Sequence, residues 1–309
     1  MNDRARILLV AALLELTIGD PRTRWHPVAL FGRGVGALAG RAPRSGAIAR
    51  LVYGAAAVMG SALAAGLAAA FGLRAIEARS RVAAVLAGGA ILKVCLSYRQ
   101  LEREALVVAD HVEGGRLDAA RESLRALVSR DTSRLSAAGA CSAAIESVAE
   151  NLCDSLVAPI YAFLLAGVPG AIVYRAVNTW DAMVGYHGEY EFLGKAAARL
   201  DDLANYLPAR MTAGMIAVAA IAGADWRGAI ARARSESGRT ESPNAGWPMA
   251  AMAGALQRRL AKCGHYRLGA EYRACEPADV RRAVRLARLV AILSAVVAMA
   301  FARSMGART

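Results

Sequence analysis

The chain is 309 residues long, 56% hydrophobic, with a mean hydropathy of +0.34, which is more apolar than a soluble globule normally is. A formal net charge of +13 would point a soluble protein toward nucleic acid, but here the basic residues fall between apolar runs, as arginine-rich cytoplasmic loops do, so nucleic acid is not an expected partner. Five cysteines (Cys95, Cys141, Cys153, Cys263, Cys275) without a C-x-x-C pair argue against a disulfide framework or a zinc ribbon.

Arg4 and Arg6 precede a short apolar run, Ile7 to Ile18, in the manner of a signal peptide. No small-residue cleavage site follows, and Gly19-Asp20-Pro21 reads as a turn, so the segment is expected to be retained. His26 follows in Trp25-His26-Pro27-Val28, a loop position where a lone histidine is ordinarily structural. Gly32, Gly36 and Gly40 recur four apart and predict close helix packing. The G-x-G at Gly34 and Gly36 has no strand before it, as a dinucleotide site would require.

Leu51 to Leu73 is long and apolar enough to cross a hydrocarbon core of about 30 Å as a helix. Val82 to Leu96 is a second candidate, with Lys93 near one end, where it is expected to snorkel to the headgroups. Leu156 to Val177 is a third, and Pro159 with Gly167-Val168-Pro169-Gly170 predicts a kink or two half-helices. Leu286 to Ala302 is a fourth. Ile7 to Ile18, with Glu15 inside it, and Met211 to Ala224 are short for a crossing. The expectation is an all-α polytopic membrane protein with about four to six membrane segments and helical cytoplasmic loops. Residues 1–309 form one integral membrane domain in this reading. Its arginine-rich segments Asp20 to Arg50 and Asp225 to Arg285 face the cytoplasm, and its polar catalytic segments lie at about 98–155 and 178–210.

Ser136 to Asp154 reads as a helix, with Ser133 or Ser136 as its N-cap. On regular helical spacing Glu146, Glu150 and Asp154 fall on one face beside Asn151, an arrangement that is either a solvated face or a site for Mg²⁺-nucleotide or another cation. Arg130-Asp131-Thr132-Ser133 precedes it and is suited either to capping or to a phosphate held by a guanidinium, hydroxyls and helix-terminal N–H groups. In the second polar block Asn178 and Asp181 lie one turn apart, as do Asp201 and Asn205, with Tyr186, Arg199, Asp202 and Arg210 nearby. Each pair can bind a common ligand or serve as an N-cap. No Walker A sequence is present, since Gly194-Lys195 lacks both the earlier glycine and the following hydroxyl residue.

Taken together, Gly19-Asp20-Pro21 with His26-Pro27-Val28, Arg130-Asp131-Thr132-Ser133, Ala144 to Asn151, Ala176 to Met183 with Gly185-Tyr186, Ala198 to Asp202 with Pro208-Ala209-Arg210, and Ser242 to Pro248 resemble the CobD/CbiB family in order and spacing. The likeness covers nearly the whole chain. Glu15 stands where the family pattern leads one to expect Asp. The resemblance implies a multi-pass enzyme of the cell inner membrane with its active site facing the cytoplasm. It implies an amide-forming ligase, adenosylcobinamide-phosphate synthase, acting in cobalamin biosynthesis. The reaction would join (R)-1-aminopropan-2-ol or its O-phosphate to the free propionate carboxylate of adenosylcobyric acid. ATP and Mg²⁺ are the implied cofactors, the corrinoid and aminopropanol (phosphate) the substrates, and the lipid bilayer, other copies of the chain or other cobalamin-pathway enzymes the partners.

Under that reading Glu146, Glu150 and Asp154 bind the metal, while Arg130, Asp131, Thr132 and Ser133 approach phosphate. Asp181 or Asp201 takes the proton of the attacking ammonium, with Asp202 and Arg199 beside them. Lys93, Arg199 and Arg210 neutralise substrate anions, and Asn178, Tyr186, Asn205 and His26 complete the substrate contacts. The acidic and amide side chains are expected to share one cytosol-facing pocket. The main rival is a membrane transporter of a corrinoid or another anionic small molecule, since broken apolar helices with charge in them are typical of such proteins.

Overall fold

The structure is a computed structural model that describes residues 2–19, 25–186 and 188–306. Asp20 and Pro21 of the anticipated turn lie outside the described residues. The chain is all-α apart from one short hairpin. In order its elements are α1 (Asp3–Thr17), α2 (Pro27–Ala39), α3 (Ala47–Glu77), α4 (Arg81–Val94), α5 (Tyr98–Glu113), α6 (Leu117–Leu124), α7 (Ala137–Leu152), a π-helical turn (Cys153–Val157), α8 (Ala158–Val184), α9 (Lys195–Ala220), α10 (Trp226–Glu236), α11 (Gly246–Leu256), β1 (Leu260–Lys262), β2 (Tyr266–Leu268) and α12 (Pro277–Gly306). Four helical stretches among the described residues are long and apolar enough to cross a membrane: Ala47–Glu77, Arg81–Glu113, Ala137–Val184 and Pro277–Ser304. This is a polytopic helical membrane protein.

Contacts divide the chain into two compact units. The first comprises Met1–Ser97, Ala158–Asn205 and Val297–Thr309, the second Tyr98–Val157 and Tyr206–Val296.

In the first unit α2, α3 and α4 pack on α8, and α1 packs on α4. Helix α3 shows why lipid is its solvent. Its buried positions are Gly54, Val58, Ala62 and Gly66, whereas Val52, Met59, Leu63, Leu67 and Phe71 point outward, Phe71 with 63% of its surface exposed. Small residues inside and large apolar ones outside is the pattern of helices that associate by close backbone approach in hydrocarbon. At Gly66 a Cβ would press on the Val173 side chain of α8, and at Gly54 it would overlap the Leu193 carbonyl. The small-residue stripe of α2 behaves as expected, because Gly32 and Gly36 both face Met183 of α8. Val35, Val58, Ala62, Ala176, Val177, Trp180, Val184 and Ala197 form the core of this unit, where the Trp180 indole N–H donates to Ser61 Oγ at 2.9 Å. Helix α8 breaks where Gly167-Val168-Pro169-Gly170 predicts it, at Ala166 and at Gly167, whose φ is +67°. The Arg4 guanidinium donates to the Leu164 carbonyl at 2.8 Å, one of those the break releases.

Lys93 does not snorkel. Because α1 covers that face of α4, Lys93 Nζ lies 3.2 Å from Glu15 Oε2 with both side chains nearly buried, and a charge shut away from water needs such a partner. The short first helix is thereby fastened to its neighbour through the one acidic residue in its apolar run.

In the second unit α5, α6, α11 and β1 pack around α7, and α10 lies against α11. The α10–α11 contact is so close that a Cβ on Gly254 would overlap the Gly228 carbonyl. The stretch read from sequence as a cytoplasmic loop, about 225–285, is thus folded, with α11 almost wholly buried. It includes the antiparallel β1–β2 hairpin, in which Leu260 pairs with Leu268 and Lys262 with Tyr266.

Candidate functional site

Two polar clusters stand out, one in each unit. The first forms where α8 meets the start of α9. Asp201 Oδ1 accepts from Asn178 Nδ2 at 3.2 Å, and Oδ2 accepts from Asn205 Nδ2 at 2.9 Å. Each amide is oriented from behind, since Arg175 Nη1 donates to Asn178 Oδ1 at 3.2 Å and the Tyr174 hydroxyl donates to Asn205 Oδ1 at 2.9 Å. Both carboxamides must therefore present N–H to Asp201. Burial pushes the Asp201 carboxyl above its ordinary value, while the two amides and Arg175 hold it back. Asp202 is also raised by burial, against the pull of Arg199; Arg199 itself is exposed.

The sequence placed Asn178 with Asp181, and Asp201 with Asn205, each pair on one helix face. The geometry adds the Asn178–Asp201 contact between α8 and α9, and within the second pair Asn205 donates to Asp201. Asp181 is half-buried, and its backbone carbonyl accepts the Gly185 N–H at 2.7 Å. Any side chain at Gly185 would run into the Asp181 carboxylate.

The second cluster centres on Glu146 of α7, which is 4% exposed. Its carboxylate accepts from Arg130 Nη1 at 3.1 Å, from Ser142 Oγ at 2.6 Å and from the Tyr266 hydroxyl at 2.8 Å. Ser142 Oγ in turn accepts the Ala261 N–H at 2.9 Å, so both strands of the hairpin are tied to α7 through one carboxylate. Burial is the first cause and Glu146 the second of a strong upward push on the Tyr266 phenol, which stays a hydrogen-bond donor. Around Arg130 the groups expected to cradle a phosphate are partly engaged within the loop. The Thr132 hydroxyl is spent on the Arg121 carbonyl at 2.9 Å, and the Ser133 N–H on Asp131 Oδ1 at 2.9 Å. That local bonding, from the Ser133 backbone first, holds the Asp131 carboxyl below the usual range. The N-cap of α7 is Ser136, which accepts the Gly139 N–H at 3.1 Å. These side-chain bonds shape the loop, and Arg130 keeps two guanidinium nitrogens without a partner among the described residues.

The family model described as CobD/Cbib protein matches residues 8–287. The chain is 39% identical over 275 residues to the cobalamin biosynthesis protein CobD of Dehalococcoides mccartyi, covering 89% of each. It is 39% identical over 306 residues to that of Mycobacterium tuberculosis, covering 96% of this chain and 95% of the other. It is 38% identical over 292 residues to the probable cobalamin biosynthesis protein CobD of Methanothermobacter thermautotrophicus, covering 93% and 94%. The chain belongs to the CobD/CbiB family. No solved structure matches it.

In this CobD/CbiB member the sequence blocks that carry the likeness meet in pairs. Arg130 reaches Glu146, and Asn178 reaches Asp201. Arg210 reaches the Ser242–Pro248 block, where its guanidinium lies 3.6 Å from the Tyr206 ring centroid and 4.8 Å from that of Trp247 and donates to Asn244 Oδ1 at 3.3 Å. Arg210 is held by stacking as much as by charge. His26 is the residue preceding α2, half-buried, and Tyr186 is exposed beyond the end of α8. Lys93 is committed to Glu15 as described.

The proposed metal set does not fit. Among the described residues no group of three or more His, Cys, Asp and Glu side chains is placed to hold a metal ion. Glu146 is already engaged by a guanidinium and two hydroxyls, and Asp154 sits in the π-turn Cys153–Val157, where the wider turn breaks the four-residue register that placed it in line with Glu146 and Glu150.

Sequence reasoning missed Ser142, Tyr174, Arg175 and Tyr266. Arg175 carried a usable signal, a charge inside the apolar run Leu156 to Val177. Tyr266 carried none, since it reaches Glu146 across 120 residues of sequence.

Proposed function

We propose that the chain catalyses amide ligation in cobalamin biosynthesis, joining (R)-1-aminopropan-2-ol or its O-phosphate to the free propionate carboxylate of adenosylcobyric acid. The reading is supported by family membership across nearly the whole chain and by the names of the relatives. The observation that carries the chemistry is Asp201, a half-buried carboxylate bracketed by two fixed amides with its proton affinity raised by desolvation.

An amine attacks a carboxyl carbon only after losing its extra proton, and a carboxylate whose affinity is shifted toward neutrality is suited to accept it. Asp201 takes that proton, the amine lone pair forms the C–N bond, and the group activating the carboxyl departs. Asn178 and Asn205 keep Asp201 oriented, while Asp202, next to it in sequence, and Asp181 on α8 are further acidic groups. An ionised carboxylate is unreactive toward amines, so activation must come first. ATP, entering as its magnesium complex and therefore as a substrate, is the proposed source. Arg130, Arg199 and Arg210 are the proposed partners of substrate anions. The active site is proposed to face the cytoplasm from the cell membrane, with substrates delivered from the cytosol.

The test is complementation of a strain blocked between cobyric acid and cobinamide. Wild-type chain is expected to restore growth on cobyric acid, and Asp201→Asn is expected not to. Rescue that depends on uptake of a supplied corrinoid, with no amide product formed, would overturn the ligase reading in favour of transport.

A further inference from the structure

Arg130 is held on one side and unspent on the other. Nη1 donates to Glu146, and the side chain is 16% exposed. Nε and Nη2 are buried and have no hydrogen-bond partner among the described residues. These two nitrogens share an edge of the guanidinium, and their N–H bonds run parallel at the spacing of the two oxygens of a carboxylate or of a phosphate. Buried polar groups are almost always satisfied, so two unsatisfied donors on one edge of one cation mark a missing acceptor.

The mounting of this edge is rigid. Glu146, which fixes Nη1, is itself fixed by Ser142 and Tyr266, and Ser142 by the backbone of β1. A receptor group whose supports are locked in this way loses little freedom on binding. Glu146 neutralises Arg130, the Tyr266 phenol is held in its neutral donor form, and Glu150 adds a further acidic group near Tyr266. An incoming oxyanion meets hydrogen bonds directed at it, with no excess positive field to attract every anion alike.

We infer that the Nε–Nη2 edge of Arg130 is a bidentate receptor for one oxyanion, a carboxylate or a phosphate, and that Glu146, Tyr266 and Ser142 are its positioning residues. The site stands on geometry alone; assigning its occupant to the propionate carboxylate or to a substrate phosphate rests on the ligation reading above.

The experiment uses the full chain purified in detergent, without amine or nucleotide, titrated with sodium propionate or inorganic phosphate against sodium chloride at equal ionic strength. Thermal unfolding and calorimetry are the readouts. One of the two anions is expected to bind saturably and to raise the unfolding temperature above the chloride control, and the anion that does so names the source. Arg130→Lys keeps the charge opposite Glu146 but has no fork, so its affinity is expected to fall at least about tenfold. Tyr266→Phe is expected to weaken binding by roughly threefold to tenfold while leaving Arg130 in place, because Glu146 loses a support. Arg232→Lys is the control, since Arg232 has only Nε unsatisfied and offers no pair of donors; it should bind as wild type does. Equal affinity in Arg130→Lys and wild type, or no effect of either anion beyond chloride, overturns the inference. Anion binding here, together with failure of the complementation test to yield amide product, leaves it standing and removes the ligase reading alone.

Discussion

Glu146 is buried and Asp201 half-buried, and the proposed function gives these two carboxylates opposite tasks. Glu146 faces a guanidinium and two hydroxyls, so its negative charge is matched and its lone pairs are filled. Asp201 receives its hydrogen bonds from two neutral amides, which orient it and, with the nearby Arg175 charge, favour its ionised form, and burial still wins. The first arrangement fixes a charge; in the proposed function the second leaves a proton free to come and go. Burial of an acid is therefore not in itself a sign of catalysis, and the charge of its hydrogen-bond donors separates a strut from a base.

The sharpest break of that comparison is Asp201→Asn. Amide formation is expected to fall by roughly 10² to 10⁴-fold, the usual contribution of a positioned acid or base, while the protein inserts and unfolds at the wild-type temperature. Wild-type turnover in this variant, measured as cobinamide product from adenosylcobyric acid, would make Asp201 a second strut.

Glu146→Ala is the matching change in the other cluster. It strands the Arg130 guanidinium in a buried site, and removal of one partner of a buried pair typically destabilises by about 3–5 kcal/mol. The expectation is a lowered unfolding temperature in detergent, with Arg130→Met combined with Glu146→Gln recovering much of it because neither charge remains. If the single variant melts as wild type does, the hairpin and α7 are not held together through this carboxylate.

The pair of clusters also shows what could be read from the chain. The long span α3, the break in α8 and the face of α2 that meets Met183 were legible because each follows from local chemistry: an apolar run of membrane length, a Gly-x-Pro-Gly sequence, glycines at helical spacing. That Asp201 and Asn205 share a face was legible for the same reason, being one turn of one helix. The carboxylate face of α7 was misread because the spacing of Glu146, Glu150 and Asp154 has meaning only on a regular helix, and the chain widens into a π-turn at Cys153. Lys93 and Glu15 each looked like a solitary charge in an apolar run, and only the packing of α1 on α4 makes them a pair. The partners of Glu146 are a loop arginine, a serine and a tyrosine on a hairpin, joined by no periodicity at all.

A finer probe of Asp201 uses pH. With its proton affinity raised above the ordinary carboxylate value of 3.8, Asp201 remains protonated, and so inactive as a base, up to a higher pH than a solvent-exposed aspartate. The acid limb of kcat/KM is expected to lie above 3.8 accordingly. The Asn205 amide stabilises the ionised form, so Asn205→Ala should raise the affinity further and move the limb to higher pH by roughly one unit, the worth of one hydrogen bond to a charged group. A limb that moves to lower pH, or not at all, would mean that another group governs it.

The smallest expected effect tests which serine starts α7 and, through it, how the Arg130 loop is anchored. Ser133 and Ser136 were both candidates from sequence. Ser136 accepts the Gly139 N–H, whereas the Ser133 N–H is turned back on Asp131. Loss of an N-cap hydroxyl costs about 1 kcal/mol, so Ser136→Ala should lower stability by about that amount. Ser133→Ala should lower it less, since the Ser133 backbone bond to Asp131 survives the change. A larger loss from Ser133→Ala would place the helix start one turn earlier and return Thr132 and Ser133 to consideration as phosphate contacts, because a helix beginning there would turn its first free N–H groups toward the Arg130 loop.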